Sequence, residues 1–137
     1  MMSDLDLNEA TSHPLAKYRN HLEFYGYRIE EIEDRLYCRH SRKSNLILNA
    51  ISDRGVLISI VYSFEPNFER LDILEYVNEL NLYFTFMKAY IDEDDDLILE
   101  TFFEGEYDRT NFSILLDNIE YDTEILLGNE LTQEYLK

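Results

Sequence analysis

Five consecutive acidic side chains, Asp92-Glu93-Asp94-Asp95-Asp96, form the densest group in the chain with chemistry to offer. Carboxylates at alternate positions can ligate a hard cation such as calcium. A calcium loop of the EF-hand type starting at Asp92 takes its first three ligands from Asp92, Asp94 and Asp96. Its sixth position needs glycine for a sharp turn and holds Leu97. Its twelfth needs a bidentate glutamate and holds Phe103. The run therefore reads as a solvated hairpin tip, with weak divalent-cation binding as the alternative.

The other chemistry-bearing residues are sparse. His13, His21 and His40 are not at ligand spacings with one another or with a cysteine, so no metal site is expected. Cys38 is the single cysteine. It lies in an alternating segment, on the face opposite Arg35 and Arg39, where those cations would not activate it. It reads as a structural thiol. With 4 scattered glycines there is no phosphate-cradling loop, and no Gly-x-Ser-x-Gly turn is present. No catalytic residues and no cofactor are expected, and the chain does not read as an enzyme.

Two groups suit binding rather than catalysis. Arg35, Arg39, Arg42 and Lys43 form a local basic cluster with Tyr37 and His40 interleaved, and Arg35, Tyr37 and Arg39 share a strand face. Four cations against a net charge of −17 are too few to hold nucleic acid. Among 11 tyrosines, Tyr62, Tyr76, Tyr83 and Tyr90 gather in the middle of the chain. Tyrosine serves both cores and interfaces. Arg35, Tyr37, Arg39, Tyr62, Tyr76, Tyr83 and Tyr90 are the candidate partner surface.

The elements that must position these groups follow from periodicity. Pro14 suits the start of a helix that places Leu15, Tyr18, Leu22 and Tyr25 on one face and stops at Gly26. Strands are expected from Tyr27, from Arg35 to His40, and from Leu46 to Ile51. Ser52-Asp53-Arg54-Gly55 is a short hairpin loop, followed by a strand with Val56, Ile58, Ile60, Tyr62 and Phe64 on one face. Asn67 suits the N-cap of a helix burying Ile73, Leu74, Val77 and Leu80. Phe84–Ile91 and Leu97–Phe103 should pair through the acidic tip. A helix from Asn111 to Leu127 turns Phe112, Leu115, Leu116, Ile119 and Leu126 inward, and a short helix follows Gly128. The order α-β-β-β-(β)-α-β-β-α, with strands in antiparallel groups, predicts an α+β fold with helices packed on an antiparallel sheet.

Size and composition bound the rest. A chain of 137 residues, 45% apolar, suits one domain with an ordinary core. The expected organisation is a flexible tail over 1–13 and a single domain over 14–137. There is no long apolar run and no secretory pattern at the N-terminus, and one cysteine fits a reducing compartment, so a cytoplasmic protein without membrane contact is expected. The charge is uneven. Residues 1–64 carry a net −1 and residues 65–137 a net −16. Such a field repels phosphates and is either a solubilising surface or a docking face for a cationic partner.

Within residues 69–104, one stretch runs Glu75-Tyr76-Val77-Asn78-Glu79-Leu80-Asn81, then Phe84 and Phe86, the acidic tip, and Leu97-Ile98-Leu99-Glu100. By this stretch the chain resembles the bacterial YbjN family, whose fold is similar to that of type III secretion chaperones. The order of elements is similar over 14–127, although the tip lacks an Asp-Gly pair and tryptophan is absent. The resemblance implies a homodimer that binds protein segments or has a regulatory role. It implies no catalytic residues, and Asn78 and Asn81 are its polar positions, expected to bond neighbouring backbone. The expected function is a non-catalytic, chaperone-like or regulatory protein-binding module. The alternatives are a small acidic-site enzyme or ligand-binding domain, and an acidic structural subunit of a larger assembly.

Overall fold

The computed structural model describes residues 13–137; residues 1–12, nearly all of the expected tail over 1–13, lie outside the described residues. The elements are α1 (Ala16–Phe24), β1 (Arg28–Ile32), β2 (Arg35–Arg39), β3 (Leu46–Ile51), β4 (Gly55–Tyr62), α2 (Arg70–Tyr83), β5 (Lys88–Ile91), β6 (Leu97–Glu104), α3 (Arg109–Gly128) and α4 (Glu130–Tyr135). The strands form a six-stranded antiparallel sheet in the order β1-β2-β3-β4-β6-β5. The fold is α+β, as the element order predicts. The described chain divides into two compact units. One runs up to Ile58 and includes Phe102–Phe112; the other comprises Ser59–Thr101 and Ser113–Lys137.

The first unit is built on the β1-β2-β3 meander. Its inward residues alternate: Leu36, Cys38, Leu46 and Leu48 are all buried. The pairing of Cys38 with Ile29 on one side and Leu46 on the other fixes the register. A one-residue slip would turn this whole apolar set outward. Tyr18 of α1 is the hub of an aromatic cluster, its ring 5.8 Å from Phe103, 5.1 Å from Tyr107 and 4.9 Å from Phe112. Edge-to-face pairs of this kind add stability beyond the area they bury.

The buried face of α1 differs from the expectation. Tyr25 does not join the buried face of α1; His21 does. The helix ends at Phe24, Tyr25 at the C-cap stays exposed with its ring 5.2 Å from that of His21, and Gly26, at φ +92°, then turns the chain. The Ser52–Gly55 loop forms as predicted, and a glycine is needed there for space as well as conformation. At Gly55, φ is +150° and an added Cβ would lie 2.0 Å from the Phe103 carbonyl oxygen.

The second unit carries α2, β5, the start of β6, most of α3, and α4. Its buried residues include Ile60, Tyr76, Val77, Leu80, Met87, Leu97, Leu99, Ile119 and Leu126. Asn67 is not the N-cap of α2. It sits at φ +74° in the preceding turn, and Glu69 takes the cap position without a side-chain bond. Leu74 faces solvent rather than the core, while Ile73 is half-buried. The strand expected over Phe84–Ile91 begins only at Lys88. Before it, the amides of Thr85, Phe86 and Met87 donate to the Asp122 carboxylate at 3.0, 2.7 and 2.8 Å. That carboxylate replaces a ladder, since each buried amide must find an acceptor. Phe64 likewise falls outside β4 and bridges to Leu136 near the C-terminus.

Candidate functional site

The β1-β2 hairpin positions the densest group of binding side chains. Glu33 at φ +56° sits in the turn between its strands. The register sets Arg28 opposite Arg39, Glu30 opposite Tyr37, and Ile32 opposite Arg35. Because side chains alternate across a strand, all six project from the face away from Leu36 and Cys38. Arg28, Glu30, Ile32, Arg35 and Arg39 are exposed and Tyr37 is half-buried. On the neighbouring strand, Tyr37 pairs with Ile47, and Ile51 is also exposed. The face is therefore a mixture of guanidinium groups, one aromatic ring and exposed β-branched side chains.

Arg28, Ile29, Glu30, Tyr37 and Arg39 line a shallow, open cavity of about 300 Å³. Among its polar groups, Arg28 and Arg39 offer planar forks for carboxylates, Tyr37 offers a flat apolar ring with a hydroxyl edge, and Glu30 adds a negative charge. The cavity holds no pairing of nucleophile and base.

The structure brings together Arg35, Tyr37 and Arg39 of the expected partner surface. It does not make one surface of the tyrosines. Tyr76 is a core residue at 1% exposure, its hydroxyl 2.7 Å from Thr132 Oγ1. It is removed from the partner surface, because its ring is buried against that of Tyr135 of α4, 5.2 Å away. Tyr62 is half-buried at the end of β4. Tyr83 is exposed at the end of α2. Tyr90 is partly exposed on β5, donates to Glu100 Oε2 at 2.9 Å, and has the Lys88 ammonium 5.5 Å from its ring centre. Burial first, and the Glu100 carboxylate second, push its phenol up to about 12. Arg28, Ile29 and Glu30 are the site residues that periodicity alone did not single out. The signal was the two-residue turn at Glu33-Asp34, which fixes who faces whom.

The remaining chemistry-bearing residues are structural in their surroundings. Burial pushes the Cys38 thiol up to about 12, with Arg19 opposing it weakly. The His21 Nδ1 lies 2.7 Å from the Tyr107 hydroxyl. At the acidic tip, Asp92 Oδ1 accepts from the amides of Asp94 and Asp96 at 3.0 and 2.9 Å, which closes the turn on itself. Among the described residues, no three His, Cys, Asp or Glu side chains are grouped to hold a metal ion. No described helix is long and apolar enough to cross a membrane.

No family model matches the chain, and no curated protein matches it in sequence. Among solved structures, it is similar to YbjN, a proposed transcription regulator from E. coli. The likeness has a TM-score of 0.72 over 90% of this chain and 95% of that one, at 16% identity. Agreement of that extent at so low an identity concerns the backbone, and the chain has the YbjN-like fold.

Proposed function

We propose that this chain is a non-catalytic protein-binding module, regulatory in role and homodimeric, that engages partners through the open face of β1 and β2. The observation that carries the reading is the row Arg28, Tyr37, Arg39 on a sheet face that the described residues leave open, with Leu36 and Cys38 buried on its reverse side. The description of the similar E. coli structure as a proposed transcription regulator fits a regulatory role. A net charge of −17 opposes direct contact with nucleic acid, so regulation would run through protein contacts. The nearly neutral first half of the chain also favours self-association there, since two copies can meet without like-charge cost. Cys38, buried as a thiol, suits a reducing cytoplasm.

The test is affinity capture from native cells with the wild-type chain and with a Tyr37→Ala/Arg39→Ala double variant. Both substitutions lie on the exposed face and leave the core intact. The reading expects a protein that is recovered with wild type and lost with the variant. Recovery of the bait alone, or of the same proteins with both baits, overturns it.

A further inference from the structure

Helix α2 is apolar on two opposite faces, and among the described residues only one of them meets a core. Tyr76, Val77 and Leu80 are buried inward. On the other side, Leu71, Leu74 and Leu82 are 63, 45 and 73% exposed, and Asn78 between them is also exposed. Residues 71, 74, 78 and 82 follow one another at steps of three, four and four, a single stripe along the helix. At 1.5 Å per residue the stripe is about 17 Å long. Single exposed leucines are ordinary, but three leucines along one side of a helix, with a neutral asparagine between two of them, mark a contact surface.

Charge decides what can cover it. Asp72, Glu75 and Glu79 lie along one flank of the stripe, and the only cation of the helix, Arg70, is already paired with Asp95 at 3.0 Å. The surrounding half of the sequence, residues 65–137, carries a net −16. A second copy would bring the same carboxylates against these. Nucleic acid and anionic lipid are repelled in the same way. A cationic amphipathic helix meets both demands: its apolar side chains lie against the leucines, and its lysines or arginines reach the carboxylate flank.

We propose that the outward face of α2 docks a cationic amphipathic helix of a partner protein. This rests on the reading of the chain as a protein-binding module, but it uses a surface separate from the β1-β2 face. The probe is a fluorescein-labelled synthetic peptide of about 18 residues, in which Leu and Lys alternate at helical spacing. A scrambled peptide of the same composition keeps the charge and loses the apolar face. Binding to the full chain is read by fluorescence anisotropy, with helix formation read by circular dichroism. The patterned peptide should bind and gain helix. Scrambling, or Leu74→Gln or Leu82→Gln in the protein, should weaken binding by roughly tenfold or more, the value of one leucine's burial. Asp72→Asn/Glu75→Gln should reduce the salt dependence of binding.

Equal binding of both peptides, or no effect of the leucine variants, reduces the effect to bulk charge and overturns the proposal. So does a wild-type dimer that Leu82→Gln converts to monomer, because the stripe would then belong to a second copy. If the patterned peptide does not bind while the Tyr37/Arg39 capture experiment still yields a partner, only this inference fails. If both come up empty, the binding-module reading fails with it.

Discussion

The side-chain amide of Asn81 makes both hydrogen bonds with the backbone of Ala89: its Oδ1 accepts from the Ala89 amide at 2.8 Å, and its Nδ2 donates to the Ala89 carbonyl at 2.9 Å. Ala89 lies in β5, the last strand in the sheet order, and its own ladder partner is β6. Asn81 thus does for one residue what another strand would do. An asparagine amide has the donor–acceptor pair of a peptide group, and it closes an edge that would otherwise invite strand addition.

Asn81→Leu should therefore cost about 1–2 kcal/mol, because both Ala89 groups lose their partner at a half-buried position. Asn81→Asp should cost at least as much, since a carboxylate facing the Ala89 carbonyl is repelled. Urea denaturation gives the stability, and amide hydrogen exchange gives the site. Ala89 should exchange faster in both variants. Unchanged protection of Ala89 would mean that the side chain is incidental.

Asp122 performs a larger version of the same task. Its carboxylate is fully buried and takes three consecutive amides, from Thr85 to Met87. Asp122→Ala should destabilise the fold by about 3 kcal/mol, because charge-assisted bonds are lost and at least the Met87 amide is left buried without an acceptor. Asp122→Asn should fall between, as one amide oxygen replaces two carboxylate oxygens. Thermal or urea unfolding ranks the three proteins, and equal stability of Asp122→Ala and wild type would refute the role.

How much of this was legible depends on whether a residue's partner is local. β3 over Leu46–Ile51 was readable to the residue, because its alternation is bounded by polar turns on both sides. The Arg35, Tyr37, Arg39 face was readable for the same reason. Asp122 was not, because its acceptor role depends on amides some 36 residues away in sequence. Periodicity points Leu74 inward because α2 carries leucine on both sides, and a period of 3.6 fits either face. Tyr76 reads as a surface residue because tyrosine suits both environments, and only the packing of Thr132 and Tyr135 against it decides.

His21 gives the fold a pH dependence of known sign. Burial first, and the nearby Arg109 guanidinium second, hold its imidazole below the ordinary range. The unfolded chain therefore takes up the proton first as pH falls, near the unperturbed value of about 6.5. Above that value both states are neutral and stability from this group is full. Below it, stability declines until pH passes the lowered folded value. His21 should add a positive contribution to the slope of unfolding free energy between pH 7 and 5.5, so the slope should be less positive in His21→Phe than in wild type; the variant keeps the ring packing on Phe112 but cannot titrate. An identical slope in both proteins would assign the dependence elsewhere.

β1, the other terminal strand of the sheet order, carries a charge pattern suited to self-association. Arg28 and Glu30 lie two apart on one face of this strand. Pair β1 antiparallel with its own copy about Ile29, and each Arg28 falls opposite the copy's Glu30. A twofold interface repeats every contact, so the pattern is self-complementary. Arg28→Glu would set two carboxylates face to face twice, and Glu30→Arg would do the same with two guanidinium groups. Cross-strand charge pairs are worth roughly 0.5–1 kcal/mol each. The two pairs together should weaken the dimer by about tenfold in either single variant. The double exchange, Arg28→Glu with Glu30→Arg, restores opposite charges and should restore the wild-type mass in light scattering at micromolar concentration. A wild-type chain that is monomeric there removes the dimer altogether. A dimer indifferent to all three variants keeps the dimer but moves its interface away from β1.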